Sequence, residues 1–123
     1  MIDNELRGVL GPLEADVMRV LWAADDAMSV RAVLASLNEG REQPLAYTTV
    51  MTVLARLADK GVLERTLEGR GFVYRPLMSD PAAIAVRNVV RDFGDSAIAH
   101  FVDQARADPK LLRRLTKLLE EPE

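Results

Sequence analysis

The sequence predicts a mostly α-helical chain with one small β-hairpin, organised as a first domain of residues 1–79 and a helical region of residues 80–123. Three observations predict this class. Apolar residues recur at helical spacing in six segments, glycine and proline separate these segments, and one pair of short β-branched and aromatic runs lies between the third and the fourth. With 123 residues, 49% of them hydrophobic, the chain suits one compact core and a short appendage.

The first two helices are predicted from their start signals. Gly11 and Pro12 begin the first helix, because proline suits the first helical position, and an apolar stripe carries it to about Asp25. Ser29 is a favourable N-cap for a second, short helix. Residues 38–40 (Asn-Glu-Gly) close that helix.

A third helix and a hairpin follow. Apolar spacing predicts a helix from Tyr47 to Lys60, and Gly61 stands where a left-handed C-cap belongs. Residues 63–67 and 72–77 are short strand-like runs separated by a Glu-Gly-Arg-Gly turn. Three helices followed by a hairpin with a basic tip is the order of a winged helix, a variant of the helix-turn-helix.

Three further helices are predicted after the hairpin. Asp80 and Pro81 start the fourth, which stops at Gly94; Ser96 is expected to cap the fifth, and Asp108 with Pro109 starts the sixth. These short helices carry more apolar side chains than one copy can bury, which predicts a homodimer. The residues expected at the dimer interface are Ile84, Val89, Val90, Phe93, Phe101, Leu111, Leu112 and Leu115.

Composition excludes several classes of function. The absence of cysteine excludes disulfides and thiolate metal sites, and no other ligand cluster or cofactor motif is present, so no metal and no cofactor are expected. The single histidine, His100, is expected to be a partly buried packing or hydrogen-bonding residue and not a ligand. No nucleophile is paired with a base, so we expect no enzyme. Without a signal-like start or a membrane-spanning run, the chain is expected in the cytoplasm, with no membrane insertion.

Charge is unevenly distributed along the chain. The formal net charge is −3, but residues 1–40 carry three basic and seven acidic side chains (net −4), whereas residues 41–79 carry six basic and four acidic ones (net +2). A local patch, and not the total charge, determines affinity for phosphate. The region of the third helix and the hairpin is therefore compatible with nucleic acid.

The outer face of the predicted third helix carries the candidate DNA contacts. Small side chains let a helix approach the major groove, and threonine hydroxyl and methyl groups can contact base edges. We assign Arg56 to a phosphate because it lies about two turns into the helix. The candidates on this helix are Thr48, Thr49, Met51, Thr52 and Arg56. In the alternative interpretation the threonines are only the polar side of a core helix.

The hairpin supplies further cations. Its tip places Arg70 between two glycines, a geometry that suits contact with a phosphate backbone or a minor groove, although a solvated turn would look similar. Arg65 and Arg75 are expected to face the same backbone. Two other classes remain open: a winged-helix module that binds another protein, and a winged-helix regulator released from DNA by a small-molecule ligand.

Several residue runs resemble those of a known family. They are Leu13-Glu14, Val17-Met18, Leu21-Trp22, the run Ala-Tyr-Thr-Thr-Val-Met-Thr-Val-Leu-Ala-Arg-Leu at residues 46–57, and Lys60-Gly61. This pattern resembles the penicillinase-repressor family, also called the BlaI/MecI/CopY type, over about residues 10–101. The resemblance implies a repressor that binds palindromic operators as a homodimer, with recognition residues on the third helix and from Arg70 to Tyr74 in the wing.

The resemblance also implies a way to release DNA. Family members that control β-lactam-response genes are cut in the dimerisation region, just before a phenylalanine, after a membrane-bound sensor protease detects the antibiotic. The similar segment here makes His100-Phe101 the candidate bond. The residue before this bond is His100, where other members have asparagine.

Overall fold

A computed structural model describes residues 9–122 of the chain. Residues 1–8 of the predicted first domain, and Glu123 of the predicted helical region, lie outside the described residues. Six helices and a three-stranded sheet are described, in the predicted order apart from one added strand. They are α1 (Pro12–Ala23), β1 (Met28–Ser29), α2 (Val30–Asn38), α3 (Tyr47–Asp59), β2 (Leu63–Glu68), β3 (Gly71–Pro76), α4 (Pro81–Phe93), α5 (Asp95–Ala107) and α6 (Pro109–Glu120).

Two predicted N-caps are confirmed by their hydrogen bonds. The hydroxyl of Ser29 accepts the Ala32 N–H at 3.1 Å at the start of α2. At the start of α6 the carboxylate of Asp108 accepts the N–H groups of Lys110 and Leu111 at 3.0 and 3.2 Å. Each cap satisfies backbone donors that a helix leaves unpaired in its first turn.

Glycines define two further helix boundaries. Gly61 follows α3 with a φ of 78°, which confirms the predicted left-handed position. Gly94 has φ 55° and ψ −129° and is itself the N-cap of α5. The prediction that Ser96 caps α5 is therefore wrong, because the helix already begins at Asp95.

Helix α1 ends two residues before the predicted boundary, and a short strand that was not predicted follows it. The helix ends at Ala23, and Ala24 is extended with φ −86° and ψ 145°, so the expected end near Asp25 was too late. The chain then forms β1, which pairs antiparallel with β3 through Met28 and Ser29. A two-residue strand has too little sequence to show a period, and only its pairing with β3 defines it.

The hairpin closes with a two-residue turn. Glu68 pairs with Gly71, which leaves Gly69 and Arg70 as the loop. Gly69 has a φ of 65°, as the first central position of a type II′ turn requires, and Arg70 has a negative φ. The predicted turn is confirmed, and it places Arg70 at the tip of the wing.

In the core of the first unit, α3 packs against the other elements through one of its sides. The largest fully buried side chains come from α1, α2, α3, the segment before β2, β2 itself and the start of α4. They are Val17, Met18, Leu21, Val33, Val50, Leu54, Leu57, Val62, Leu63 and Ile84. Because Val50, Leu54 and Leu57 are buried on one side of α3, the opposite side of that helix faces outward.

The chain divides into two compact units between Ala85 and Val86, inside α4. In the described part of the second unit, Ala105 is the one buried hydrophobic residue. Its exposed large hydrophobic side chains are Val86, Val89, Val90, Phe93, Ile98, Phe101, Leu112, Leu118 and Leu119. Among residues 9–122, no helix combines the length and the apolar character needed to cross a membrane.

Candidate nucleic-acid interface

The outer surface of α3 gathers the five candidates predicted on it. Thr48, Thr49, Met51, Thr52 and Arg56 are all exposed. Met51 is 42% exposed although it is a large apolar residue. This surface therefore offers methyl and hydroxyl groups over its first two turns and a cation near its end, which suits base edges and a phosphate respectively.

The hydroxyl of Thr52 is already used as a donor. It donates a hydrogen bond of 2.9 Å to the backbone carbonyl of Thr48, one turn earlier. The oxygen of Thr52 keeps its lone pairs, and the methyl group is on an exposed side chain. Thr52 can consequently accept a hydrogen bond from a base amino group or pack on a thymine methyl group.

The connection between α2 and α3 is held by one side chain. The amide of Asn38, the last residue of α2, donates to the carbonyl of Leu45 at 3.1 Å and accepts the Leu45 N–H at 2.7 Å. This pair of bonds satisfies both backbone groups of a loop residue two positions before α3. Asn38 thus fixes the turn of the helix-turn-helix and the place where α3 begins.

Acidic side chains neutralise some of the cations in the first unit and leave others. Asp16 pairs with Arg19 and Arg41, Glu14 lies 3.1 Å from Lys60, and Glu64 pairs with Arg75. Within residues 9–122, no carboxylate lies within ion-pair distance of four other arginines of this unit. These four are Arg31, Arg56, Arg65 and Arg70. An acidic chain therefore presents free positive charge on α2, α3 and the wing.

The two strand arginines of the wing lie on opposite faces of the sheet. Arg65 pairs with Tyr74 across the hairpin, whereas Arg75 pairs with Glu64. Successive side chains along a strand point to opposite faces of the sheet, whereas two residues paired across the hairpin share a face. The expectation that Arg65 and Arg75 face one backbone is wrong, and Arg75 is in addition occupied by Glu64.

Tyr74 does not belong to the exposed surface. Its side chain is 2% exposed and packs in the core of the first unit. In the hairpin, Leu63 pairs with residue 76 and Tyr74 pairs with residue 65, so Leu63 and Tyr74 lie on the same face of the sheet. This face covers the helices. The predicted side-chain contact of Tyr74 with DNA is corrected to a packing role, whereas Arg70 remains exposed at the tip.

Arg31 is a candidate that the sequence reasoning missed. It is the second residue of α2, and its guanidinium carbon lies 5.6 Å from the ring centroid of Tyr47, the first residue of α3. Tyr47 itself is 41% exposed. An exposed tyrosine directly before the threonine run was the available signal, but sixteen positions separate the two residues, and only the packing of α2 on α3 joins them.

The second unit carries most of the predicted dimer residues at its surface. Val89, Val90, Phe93, Phe101 and Leu112 are exposed, while Leu111 and Leu115 are half-buried. Ile84 is different: it is fully buried in the core of the first unit, so its expected place in a dimer interface is corrected.

Helix α6 separates leucines from cations on its two sides. At 100° per residue the leucines fall on one side and the cations on the other. The leucines are residues 111, 112, 115, 118 and 119, and the cations are residues 110, 113, 114 and 117. None of the residues of α6 is buried. An apolar face of this kind requires a cover that one described copy does not provide.

The candidate cleavage bond lies within a helix. His100 and Phe101 stand in the middle of α5, and both are exposed, so His100 is not the partly buried packing residue that the sequence suggested. A protease binds its substrate in an extended form, and α5 must open locally before this bond can be cut.

Comparisons with known proteins agree with this arrangement. A family model described as penicillinase repressor matches residues 10–121. The chain is 38% identical over 119 residues to the transcriptional regulator BlaI of Mycobacterium tuberculosis, covering 90% of this chain and 85% of the relative. It is 27% identical over 114 residues to the penicillinase repressor of Bacillus licheniformis, covering 88% and 87%.

A solved structure places the first unit in the winged-helix class. The solution structure of the DNA-binding domain of the repressor BlaI matches with a TM-score of 0.51 and 30% identity, over 58% of this chain and 84% of that one. The predicted fold class, mostly helical with a winged helix-turn-helix, is confirmed.

Proposed function

The chain belongs to the penicillinase-repressor family, and we propose that it is a transcriptional repressor that binds palindromic operator DNA as a homodimer and has no catalytic activity of its own. In this proposal α3 enters the major groove and the wing contacts the adjacent backbone. Repression follows from occlusion, because a dimer bound across a promoter excludes other proteins from it.

One observation carries the DNA-binding part of the proposal. The exposed side of α3 combines short threonines with Arg56, which no carboxylate of the described residues neutralises. Three acids of the first unit, Glu14, Asp16 and Glu64, pair with other cations and not with Arg56. A protein of net charge −3 thus keeps its free positive charge on the elements that a winged helix directs at DNA.

Dimerisation rests on the second unit. Phe93 is 65% exposed and Leu119 is 77% exposed in a segment that buries only alanine among its described hydrophobic residues. A second copy covers such a face by the same residues on both sides of a two-fold axis. Two α3 helices then read half-sites whose centres lie one helical turn of DNA apart, about 34–36 Å, or a small multiple of it.

Release from DNA is proposed to follow proteolysis in the dimerisation region. A cut between His100 and Phe101 would separate α6 and its leucines from the rest of the chain. The dimer would weaken, and each remaining subunit would bind only one half-site, without the high effective concentration that linkage gives. In this proposal a membrane-bound sensor protease triggers the cut, and the genes controlled are those that respond to β-lactams.

DNA binding is tested by fluorescence anisotropy at several salt concentrations. The probe is a palindromic duplex recovered by sequencing DNA fragments that the purified protein retains, and a scrambled duplex is the reference. Arg56→Gln should weaken binding to both duplexes and lower the salt slope by about 0.9 for each phosphate that the variant no longer neutralises. Arg75→Gln is the matched control, because Glu64 already neutralises that arginine. Duplex binding that is absent, or insensitive to salt, would favour a protein-interaction module instead.

Sequence preference is tested at Thr52. Thr52→Val keeps the methyl group and the shape and removes the accepting oxygen, whereas Thr52→Ala removes both groups. We expect both variants to change the ranking of operator variants while the salt slope stays at the parent's value. Equal ranking in the parent and both variants would exclude Thr52 from base contact.

Dimerisation and release have separate measurements. Phe93→Asp should shift the protein toward monomer in sedimentation and weaken operator binding at least tenfold, while Gln104→Asp, at an exposed polar site of α5, should change neither. A dimer unaffected by Phe93→Asp and by Leu119→Asp would refute the assigned face.

Proteolytic release is tested by incubating the protein with the activated cognate sensor and measuring its mass by mass spectrometry. The masses should show a cut between His100 and Phe101, and release of DNA from uncut protein would refute proteolytic control.

A further inference from the structure

Two arginines of the first unit, Arg31 on α2 and Arg65 on β2, lie over aromatic rings. The guanidinium carbon of Arg31 lies 5.6 Å from the centroid of Tyr47, and that of Arg65 lies 4.8 Å from the centroid of Phe72. Both distances are within the range of about 6 Å in which a cation is attracted to the face of a ring.

The Arg31–Tyr47 pair joins α2 to α3, whereas the Arg65–Phe72 pair joins β2 to β3 within the wing. Tyr47 begins α3 and directly precedes Thr48, so Arg31 lies at the N-terminal end of that surface. Arg65 shares a sheet face with Leu63, whose side chain is in the core cluster together with Leu54 of α3. The first arginine therefore flanks the start of α3, and the second is exposed on the wing.

Neither guanidinium is engaged by an acid of the described residues, unlike Arg41 and Arg75. A ring contacts the flat face of a guanidinium and leaves its N–H edge free, and that edge matches the oxygens of a phosphate. A free arginine loses side-chain entropy when it is fixed on a phosphate. A ring that already restrains the side chain reduces this loss on binding.

Resting on the DNA-binding function proposed above, we propose that Arg31 contacts a DNA phosphate beside the N-terminal end of α3 and Arg65 one beside the wing, and that Tyr47 and Phe72 are positioning residues that pre-order them. The pairs contact the backbone in any sequence and fix the depth and angle at which Thr48 and Thr52 meet the bases. Specificity stays with α3, and the two arginines set the register of the helix in the groove.

The arginines are tested in the full chain by salt-dependent anisotropy on the retained palindrome and on its scrambled version. Arg31→Gln and Arg65→Gln should each weaken binding to both duplexes alike and lower the salt slope by about 0.9 per subunit, or about 1.8 for a dimer. Arg75→Gln is the matched control, because Glu64 already pairs with that arginine, and it should keep the parent's slope. Arg31→Lys should restore the slope, because it restores the charge.

The rings are tested by Tyr47→Leu and Phe72→Leu, which keep apolar bulk and remove the π face. We expect a several-fold loss of affinity with an unchanged salt slope, since the arginine still reaches its phosphate but must be ordered on binding. Melting temperatures close to the parent's establish that all variants are folded. If the parent protein binds DNA but Arg31→Gln and Arg65→Gln keep its salt slope, this inference is overturned and the proposed function is not. If the variants lose affinity for the palindrome but not for the scrambled duplex, the assignment of the arginines to phosphates is overturned. An unchanged affinity in both ring variants overturns the positioning role, whereas a parent that binds no duplex overturns the proposed function itself.

Discussion

Replacing Asn38 by alanine should destabilise the first unit and weaken DNA binding together. The side chain makes two hydrogen bonds to the backbone of Leu45, at 2.7 and 3.1 Å, in a half-buried position. Each neutral bond contributes about 0.5–1.5 kcal/mol, so losing both lowers the free energy of unfolding by about 1–3 kcal/mol. For a chain of this size that corresponds to a fall in melting temperature of roughly 3–15 °C.

The assay is thermal and urea unfolding at one fixed protein concentration, because association also stabilises the folded state. Asn38→Asp is a graded control: it keeps an acceptor for the Leu45 N–H and loses the donor to the Leu45 carbonyl, so it should fall between parent and Asn38→Ala. Ser36→Ala, at an exposed site of α2, measures the effect of helix propensity alone. If Asn38→Ala unfolds at the same temperature as Ser36→Ala, the side chain does not hold the turn, and the reasoning is refuted.

Three further substitutions give expected outcomes. Trp22→Phe removes the indole N–H that donates to the carbonyl of Met78 at 2.7 Å, and urea unfolding should show a loss of about 1 kcal/mol, with no loss refuting that bond. Leu54→Ala, at a fully buried site of α3, should cost about 2–5 kcal/mol in the same assay, and a cost under about 1 kcal/mol would contradict its burial. Gly94→Ala should lower the melting temperature through backbone strain, because φ of Gly94 is 55°. A steric clash is not the cause, since an added Cβ would meet only the Val90 carbonyl, at 4.0 Å. An unchanged melting temperature would show that the α4–α5 connection takes another conformation.

Local signals were sufficient to predict most of the elements. Ser29 and Asp108 cap the helices they were expected to cap, and Gly61 takes the left-handed conformation after α3. A cap and its donors lie within three residues of each other, so their geometry depends little on the rest of the fold. Ser96 failed as a cap because Gly94, two residues earlier, begins the helix first.

The candidate surface could be predicted on α3 and less well on the wing. The helical period separates Thr48 and Thr52 from the buried Leu54 without any knowledge of the partners of α3. On the wing, the face of each strand residue depends on the register of β2 with β3. That register separates Arg65 from Arg75 and turns Tyr74 inward, and a basic or aromatic residue in a strand does not reveal it.

By itself, the sequence determined the order of helices and hairpin, the outer face of α3 and the family, because these depend on periodicity, caps and a run of residues contiguous in the chain. Tertiary structure alone decided that Ile84 belongs to the core, that β1 exists, and that Arg31 meets Tyr47. Each of these facts joins residues far apart along the chain. Their proximity comes from the burial of the shared apolar core and from strand pairing, and no local preference encodes it.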